Sequence, residues 1–201
     1  MCNSVDNCPE DGNGGQADAD GDGLGDACDP CTNGVIAAKG RLTLSRLAPP
    51  PGDEKLRMSG ELSFPFPFTP AINPVTKGAR VLIYDVERAR VLDAIVPGGF
   101  YDPNTRSGWT ASGYGWSYRS RGAINGITKI QLKKSSSNPS LIKFIVKGSN
   151  GNYSAQTGRI PLLGTLVIDT PNATTGQCGD VVFLGPPGPS CTANTTAIKC
   201  R

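Results

Sequence analysis

The decapeptide Lys55-Leu-Arg-Met-Ser-Gly-Glu-Leu-Ser-Phe64 places most of its apolar and polar side chains at alternate positions. In an extended strand its apolar residues would point to one side and its charged residues to the other. This two-residue period is typical of a half-buried β-strand. The stretch therefore predicts a sheet with one face in a core and one face in solvent. The apolar residues are Leu56, Met58, Leu62 and Phe64.

Strands of similar length are predicted on both sides of this one, separated by clusters of Gly, Pro and Asn. Ala79–Asp85 and Arg90–Val96 predict a hairpin around Val86–Ala89. No window shows a helical period, so we expect at most single turns of helix. The fold class is therefore expected to be all-β, with an immunoglobulin-like or jelly-roll-like β-sandwich. The other predicted strands are Arg41–Leu47, Tyr114–Arg119, Ile127–Lys134, Ile142–Lys147 and Leu162–Asp169.

Composition divides the 201 residues into three parts. Residues 1–33 are expected to form a small irregular segment, and residues 34–170 the β-sandwich domain. Residues 171–201 are rich in Gly and Pro and contain three cysteines, so we expect a C-terminal tail packed on the sandwich. Two long loops, Pro65–Gly78 and Gly98–Gly113, are where binding is expected on a rigid sandwich.

Charge is distributed unevenly along the chain. Residues 1–33 contain eight acids and no Lys or Arg, a formal charge of −8, whereas the remainder has nine acids and all 20 bases, a formal charge of +11. Such asymmetry indicates an electrostatic partner. Nucleic acid is not expected to be that partner, because the cysteine content is typical of exported, disulfide-bonded proteins.

Acidic residues recur at every second position in Asp18-Ala-Asp-Gly-Asp-Gly-Leu-Gly-Asp26. Calcium takes roughly six to eight oxygen ligands, and the intervening glycines permit the turns that such a wrap needs. A disordered acidic linker has a similar composition but does not keep the D-x-D-x-D-G order. An EF-hand is disfavoured because Asp29 replaces the final Glu and because Gly and Pro flank the loop. The predicted calcium ligands are the side chains of Asp18, Asp20, Asp22, Asp26 and Asp29 and the backbone carbonyl of Leu24.

The wider pattern, from Asp6-Asn7-Cys8-Pro9 through Asn13, Gln16 and the aspartates to Cys28-Asp29, resembles a thrombospondin type 3 repeat of the longer kind. The resemblance covers residues 2–31 only, and the β domain that follows is not assigned to a named family. Such repeats normally form arrays. A single copy must therefore rest on the next domain or on another molecule.

The resemblance implies a calcium-wrapped repeat without a hydrophobic core, in an extracellular protein. It also implies that Cys8 and Cys28 are joined to each other. Long repeats of this family usually carry a second ion, for which Asp6 and Asn13 are the candidate ligands. One or two Ca²⁺ ions are therefore expected.

Seven cysteines beside a calcium motif indicate an oxidising compartment, so the protein is expected to be extracellular or at the cell surface. No signal peptide is visible, and we read the chain as a mature piece whose export signal has been removed. No apolar run approaches about 18 residues, so no membrane span is expected. We pair Cys191 with Cys200 and Cys31 with Cys178, although four cysteines allow three connectivities. Cys2 is expected to be left over, either free or bonded to another chain.

The chain contains no histidine, which removes Ser-His-Asp and Cys-His nucleophile systems and His-ligated zinc. Hydrolysis by two carboxylates stays open. Each candidate acid is better explained as a turn or strand-end residue, and we expect a protein that is not an enzyme. The candidate acids are Asp85, Glu87, Asp93 and Asp102.

Two groups of residues are candidates for contacts with a glycan or a partner. Trp109, Tyr114 and Trp116 are suited to stacking on sugars, but they also fit core and edge packing, with Trp116 inside and Tyr118 across from it. A basic stripe is expected on two neighbouring strands, which could bind acidic polysaccharide or protect a strand edge from aggregation. The stripe consists of Lys129, Lys133, Lys143 and Lys147.

These features together predict a secreted, calcium-binding structural or adhesive protein. An acidic piece and a basic piece on one chain could dock head to tail, which favours a self-assembling extracellular filament or surface-layer subunit. Another surface protein is a second possible partner. The alternative function is an extracellular carbohydrate-binding module, and a weaker alternative is a calcium-dependent glycan hydrolase.

Overall fold

The computed structural model describes residues 6–21, 23–173, 175–185 and 187–201. Within these residues two β-sheets pack on each other, which confirms the predicted β-sandwich. One turn of helix, α1 (Pro74–Lys77), lies in the first long loop. The strands are β1 (Val35–Ile36), β2 (Ala38–Ser45), β3 (Glu54–Ser63), β4 (Ala79–Tyr84), β5 (Arg90–Val96), β6 (Gly108–Ser112), β7 (Gly115–Ile124), β8 (Ile127–Lys134), β9 (Leu141–Gly151), β10 (Leu163–Val167), β11 (Cys178–Val181), β12 (Cys191–Asn194) and β13 (Ala197–Cys200).

The smaller sheet has five strands in the order β1-β11-β10-β4-β5, and the larger has eight in the order β12-β13-β2-β3-β9-β8-β7-β6. The pairing of β1 with β11 is parallel. The predicted hairpin of β4 and β5 is confirmed, with Ala79 opposite Val96 and Tyr84 opposite Arg90. β3, which contains most of the alternating stretch Lys55–Phe64, lies in the interior of the larger sheet between β2 and β9.

The main core lies between the two sheets. Leu56, Met58 and Leu62 of β3 are buried there, as their alternation predicts. Gly164 of β10 faces them, and a Cβ at this position would lie 2.7 Å from Met58 Sδ. A side chain at this position would therefore require the tightly packed ends of Met58 and Leu42 to move.

Residues 171–201, predicted to form a C-terminal tail packed on the sandwich, contribute strands to both sheets. β11 belongs to the smaller sheet, and the β12–β13 hairpin extends the larger sheet beside β2. Each of these strands has four residues, too few for a recognisable alternation. β6 was missed in the same way, inside the predicted loop Gly98–Gly113.

β4 of the smaller sheet has buried side chains on both of its faces. Val81 and Ile83 of β4 belong to the main core, whereas Leu82 and Tyr84 point away from it and are also buried. Leu24 covers this second face. The irregular N-terminal segment therefore forms a third layer on the outer side of the smaller sheet.

Tyr153, which follows β9, carries a buried hydroxyl without a hydrogen-bond partner among the described residues. Burial raises the pKa of Tyr153 to about 12 from an ordinary value of 10.0. The folded state therefore favours the neutral phenol. The preference for the neutral phenol contributes fully to the free energy of unfolding below pH 10. This contribution is lost as the pH rises towards the folded-state pKa.

We expect Tyr153→Phe to raise the free energy of unfolding by about 1 kcal/mol at neutral pH, because it removes an unpaired buried polar atom. The variant should also lack the alkaline loss of stability. Urea unfolding at about pH 7 and about pH 11 measures both effects. A less stable variant at neutral pH would show that the hydroxyl has a partner after all.

Candidate functional site

The acidic segment, residues 6–33, folds back on itself, and its described residues, which leave out residue 22, form no helix or strand. The Cys8–Cys28 disulfide that the resemblance implies is confirmed and closes the loop. The Gly25 N–H donates to the Asn7 carbonyl at 3.0 Å, and the Asp26 N–H to the Ala17 carbonyl at 2.8 Å. These bonds hold the start of the segment against its end.

Two predicted calcium ligands turn their carboxylates into this loop. Asp18 Oδ1 accepts from the Gly21 N–H at 2.8 Å, and its Oδ2 accepts from the Gly23 N–H at 3.1 Å. Asp26 Oδ1 accepts from the Ala19 N–H at 2.8 Å. The chain is thus wrapped around the carboxylates that were expected to bind the ion. Asp22, predicted to lie between them, is outside the described residues, as is Cys2.

The two candidate ligands of a second ion are also neighbours. Gln16 Nε2 donates to Asp6 Oδ1 at 3.2 Å and to Asn13 Oδ1 at 2.7 Å. One side-chain oxygen of Asp6 and one of Asn13 therefore accept hydrogen bonds from the same amide nitrogen of Gln16. Oxygens arranged in this way suit a hard cation.

The donor chemistry of the segment fits calcium, since it offers carboxylate, amide and carbonyl oxygens and contains no Lys or Arg of its own. Asp29 is buried, with Oδ1 accepting from the Cys31 N–H at 2.8 Å. Among the described residues, which omit Asp22, three acidic or cysteine side chains do not meet at one point. Among the described carboxylates, those of Asp18, Asp20 and Asp26 are the candidates that would hold the first ion if they moved together. When bound, calcium would link these oxygens and reduce the negative charge of the segment.

The acidic segment is fastened to the smaller sheet by a covalent bond and an apolar contact. The predicted Cys31–Cys178 disulfide is confirmed, and both cysteines are fully buried. Leu24, 1% exposed, packs with Leu82 and Tyr84. The Tyr84 hydroxyl lies 3.4 Å from the Cys28 carbonyl, and burial raises the pKa of Tyr84, so it remains a donor. The acidic segment therefore rests on the next domain of the same chain.

Two arginines of the β4–β5 hairpin meet the acidic segment, a feature that the sequence analysis missed. Arg90 Nη2 lies 3.4 Å from Asp11 Oδ2 and 3.6 Å from Glu10 Oε2. The Arg88 guanidinium lies against Gly23, where a Cβ would be 2.7 Å from Nη2 and where φ is +94°. Part of the electrostatic partner of the acidic segment is therefore within the same chain. The sequence did contain a signal for this contact, since Arg88 and Arg90 lie at the turn of the predicted β4–β5 hairpin.

The outer face of the eight-stranded sheet carries the opposite charge, and we call it the basic face. Lys129 lies opposite Lys147 and Lys133 opposite Lys143, as predicted for neighbouring strands. Glu61 lies opposite Lys143, 3.3 Å from its Nζ. A hydrogen bond from Lys39, with a second from Lys143, holds the pKa of Glu61 below its usual value.

Protection of a strand edge does not explain these lysines. β8 and β9 are interior strands of the larger sheet, because β8 pairs with β7 and β9, and β9 pairs with β8 and β3. Their backbone groups are already paired on both sides. Edge protection therefore has nothing to protect here.

Of the three aromatic residues considered for glycan contact, Trp109 lies in the core and is not available to a sugar. Trp109 is fully buried, its Nε1 donates to the Pro97 carbonyl at 3.0 Å, and its ring lies 5.4 Å from that of buried Tyr118. Trp116, expected inside, is only half-buried at the margin of the core, with Lys134 Nζ 4.8 Å above its ring. Tyr114 remains highly exposed, at 85%.

All four acids considered for hydrolysis have structural partners, including Glu87, whose Oε2 lies 3.0 Å from Arg159 Nη2. Asp85 Oδ1 accepts from two N–H groups of its own turn, and Asp93 forms a two-bond pair with Arg80 at 2.8 Å. The Asn104 N–H lowers the pKa of Asp102 by donating to its carboxylate. Turn formation and ion pairing therefore explain these acids without catalysis.

Comparisons with protein-family models, with curated proteins and with solved structures found no match for this chain. A functional proposal therefore has to start from the features of this structure, which are a β-sandwich, an acidic third layer and a basic face. Three disulfides join cysteines in the described part of the chain, and the Cys191–Cys200 pair, which closes the β12–β13 hairpin, is the third prediction confirmed. No described helix is long and apolar enough to cross a bilayer.

Proposed function

We propose that the protein is a secreted, calcium-binding structural or adhesive protein without enzymatic activity. It assembles with copies of itself outside the cell, into a filament or a surface layer. One observation carries this proposal. The acidic segment and the basic face lie on opposite outer sides of the sandwich.

The separation of these two surfaces follows from the burial of the strands. Leu82 and Tyr84 lie under the acidic segment on the outer face of the smaller sheet. Lys143 and Lys147 alternate with buried Phe144 and Val146, and so point outward from the larger sheet. Both sheets, about 10 Å apart in a sandwich, stand between the two charged surfaces. They cannot neutralise each other within one molecule, but they can do so between molecules.

Contact between two different surfaces of the same protein is heterologous, and it generates rings or open filaments. The fastening of the acidic segment supports this mode of assembly, because a surface held in place loses little entropy on binding. Disulfides at three positions support secretion, since such bonds persist in oxidising compartments. Calcium bound to the acidic segment is then expected to fix the conformation of the surface that contacts the next copy.

We expect the purified chain to form large species in millimolar calcium and to return to monomer in EDTA. Sedimentation velocity and electron microscopy measure both states. Asp18→Asn together with Asp26→Asn should raise the calcium concentration needed for assembly at least about tenfold, because two anionic ligands are lost. Calorimetry on the same variant tests binding of the ion directly.

Magnesium at the same concentration is the control, because it retains water and favours rigid octahedral sites. Polymers that form equally in EDTA would contradict the role of calcium. A protein that remains monomeric with calcium at all accessible concentrations would contradict self-assembly.

Binding of acidic polysaccharide is the second candidate function. The basic face favours it, since Lys129, Lys133 and Lys147 make no salt bridge in the described part of the chain. Stacking on neutral sugars is disfavoured by the burial of Trp109.

A further inference from the structure

Four adjacent strands of the larger sheet place a cation at the same level of the basic face. Arg57 of β3 lies opposite Lys147 of β9, Lys147 lies opposite Lys129 of β8, and Lys129 lies opposite Arg119 of β7. Neighbouring strands are about 4.8 Å apart, so the four side chains form a straight row. We call it the cationic row.

The cationic row is unfavourable for the isolated molecule. Like charges directly opposite each other on a sheet destabilise the pairing. Partial burial, and then the charges of Lys147 and Arg119, lower the pKa of Lys129. No salt bridge joins any of the four residues to a carboxylate of the described chain. By contrast, the Lys133–Lys143 pair, which lies beyond the Gln131–Ile145 pair on the same face, has Glu61 beside Lys143.

We infer that the cationic row is the surface on which the acidic segment of a second copy of this chain docks. The inference rests on the proposed function, and it names the interface through which the copies associate. The contact is head to tail, because each copy presents its acidic segment on one side and its cationic row on the other.

Charge complementarity within one sequence favours a second copy as the occupant. Before calcium binds, residues 1–33 carry −8 and the remainder +11, and the acids Glu10 and Asp11 of the segment are exposed. The segment is held in place by the Cys31–Cys178 bond and by Leu24, so it is a preorganised surface. An acidic polysaccharide offers similar charges, but the acidic segment is present on every copy.

The first test changes the cationic row in the full chain. Arg119→Glu with Lys147→Glu produces alternating charges along the row and should not impair folding, because each new carboxylate lies opposite a remaining cation. We expect the protein concentration needed for assembly in calcium to rise at least about tenfold, measured by sedimentation velocity. Arg106→Asp with Arg201→Glu is the control, since it removes the same charge from two exposed sites off the row. The control should assemble like the parent protein.

The second test uses complementation. Ala17→Lys with Ala27→Lys adds two positive charges to exposed positions of the acidic segment and keeps every predicted calcium ligand. This variant should also assemble poorly. An equal mixture of the row variant and the segment variant should form discrete dimers, because each supplies the one surface that the other lacks. Longer chains should not form.

Four outcomes would overturn the inference. Normal assembly of the row variant would leave the proposed function standing and exclude this interface. An equal loss in the control would make total charge, and not the row, responsible. A mixture without dimers would exclude head-to-tail contact. A parent protein that remains monomeric in calcium, yet binds a polygalacturonate column through the row, would make acidic polysaccharide the occupant.

Discussion

Replacing both Cys31 and Cys178 by alanine should lower the free energy of unfolding by about 5 kcal/mol. This disulfide joins residues 147 positions apart, so it removes the entropy of a very long loop from the unfolded chain. Both cysteines are fully buried beside Val167 and Ala173, so their replacement also leaves a small cavity. Urea unfolding of the oxidised proteins measures the difference.

The matched control is Cys191→Ala with Cys200→Ala. That bond links directly paired residues of β12 and β13, only nine positions apart. The same loop-entropy relation gives a loss of about 2.5 kcal/mol for it. Equal losses in the two variants would show that loop length does not determine the effect.

Loss of the long-range disulfide should also release the acidic segment from the smaller sheet. Leu24 and the Arg90 ion pairs would then be the main remaining attachments among the described contacts. Limited proteolysis should cut the double variant ahead of β1, near residue 34, and leave the sandwich intact. A segment that remains protected would show that the noncovalent contacts are sufficient.

Trp109→Ala should lower the free energy of unfolding by about 4 kcal/mol, because it empties a fully buried site and removes the hydrogen bond to Pro97. Trp116→Ala should lower it by only about 1 kcal/mol, since its ring is half-buried at the margin of the core. Thermal or urea unfolding of the two variants provides the comparison.

The Trp109→Ala and Trp116→Ala variants also distinguish between a structural role and a sugar-binding role of the two indole rings. If Trp109 contacted a glycan, its replacement would abolish retention on a glycan array without changing stability. We expect the opposite result, with stability lost. A stable Trp109→Ala variant would contradict the burial of this side chain in the core.

Local sequence patterns predicted the strands whose alternation is long enough to recognise. Leu56, Met58 and Leu62 identify β3, and Ile127–Lys134 coincides with β8. The aspartate spacing likewise predicted a loop around carboxylates, and Asp18 and Asp26 accept hydrogen bonds from backbone N–H groups of that loop. These features depend on residues close together in the chain.

Features that join distant residues could not be predicted in this way. The covering of Leu82 by Leu24 depends on two segments about sixty residues apart. The burial of Trp109 depends on β6, which lies at the edge of the larger sheet and has too little alternation to be recognised.

The amino-acid pattern alone predicts an all-β chain, an acidic first 33 residues and cysteines suited to disulfides. Which face each charge occupies depends on how the strands pair and pack in three dimensions. The alternation along one strand is a local property, but the cationic row exists because four strands pair in one register. The acidic segment lies on the other side because a buried disulfide and one leucine hold it on the smaller sheet.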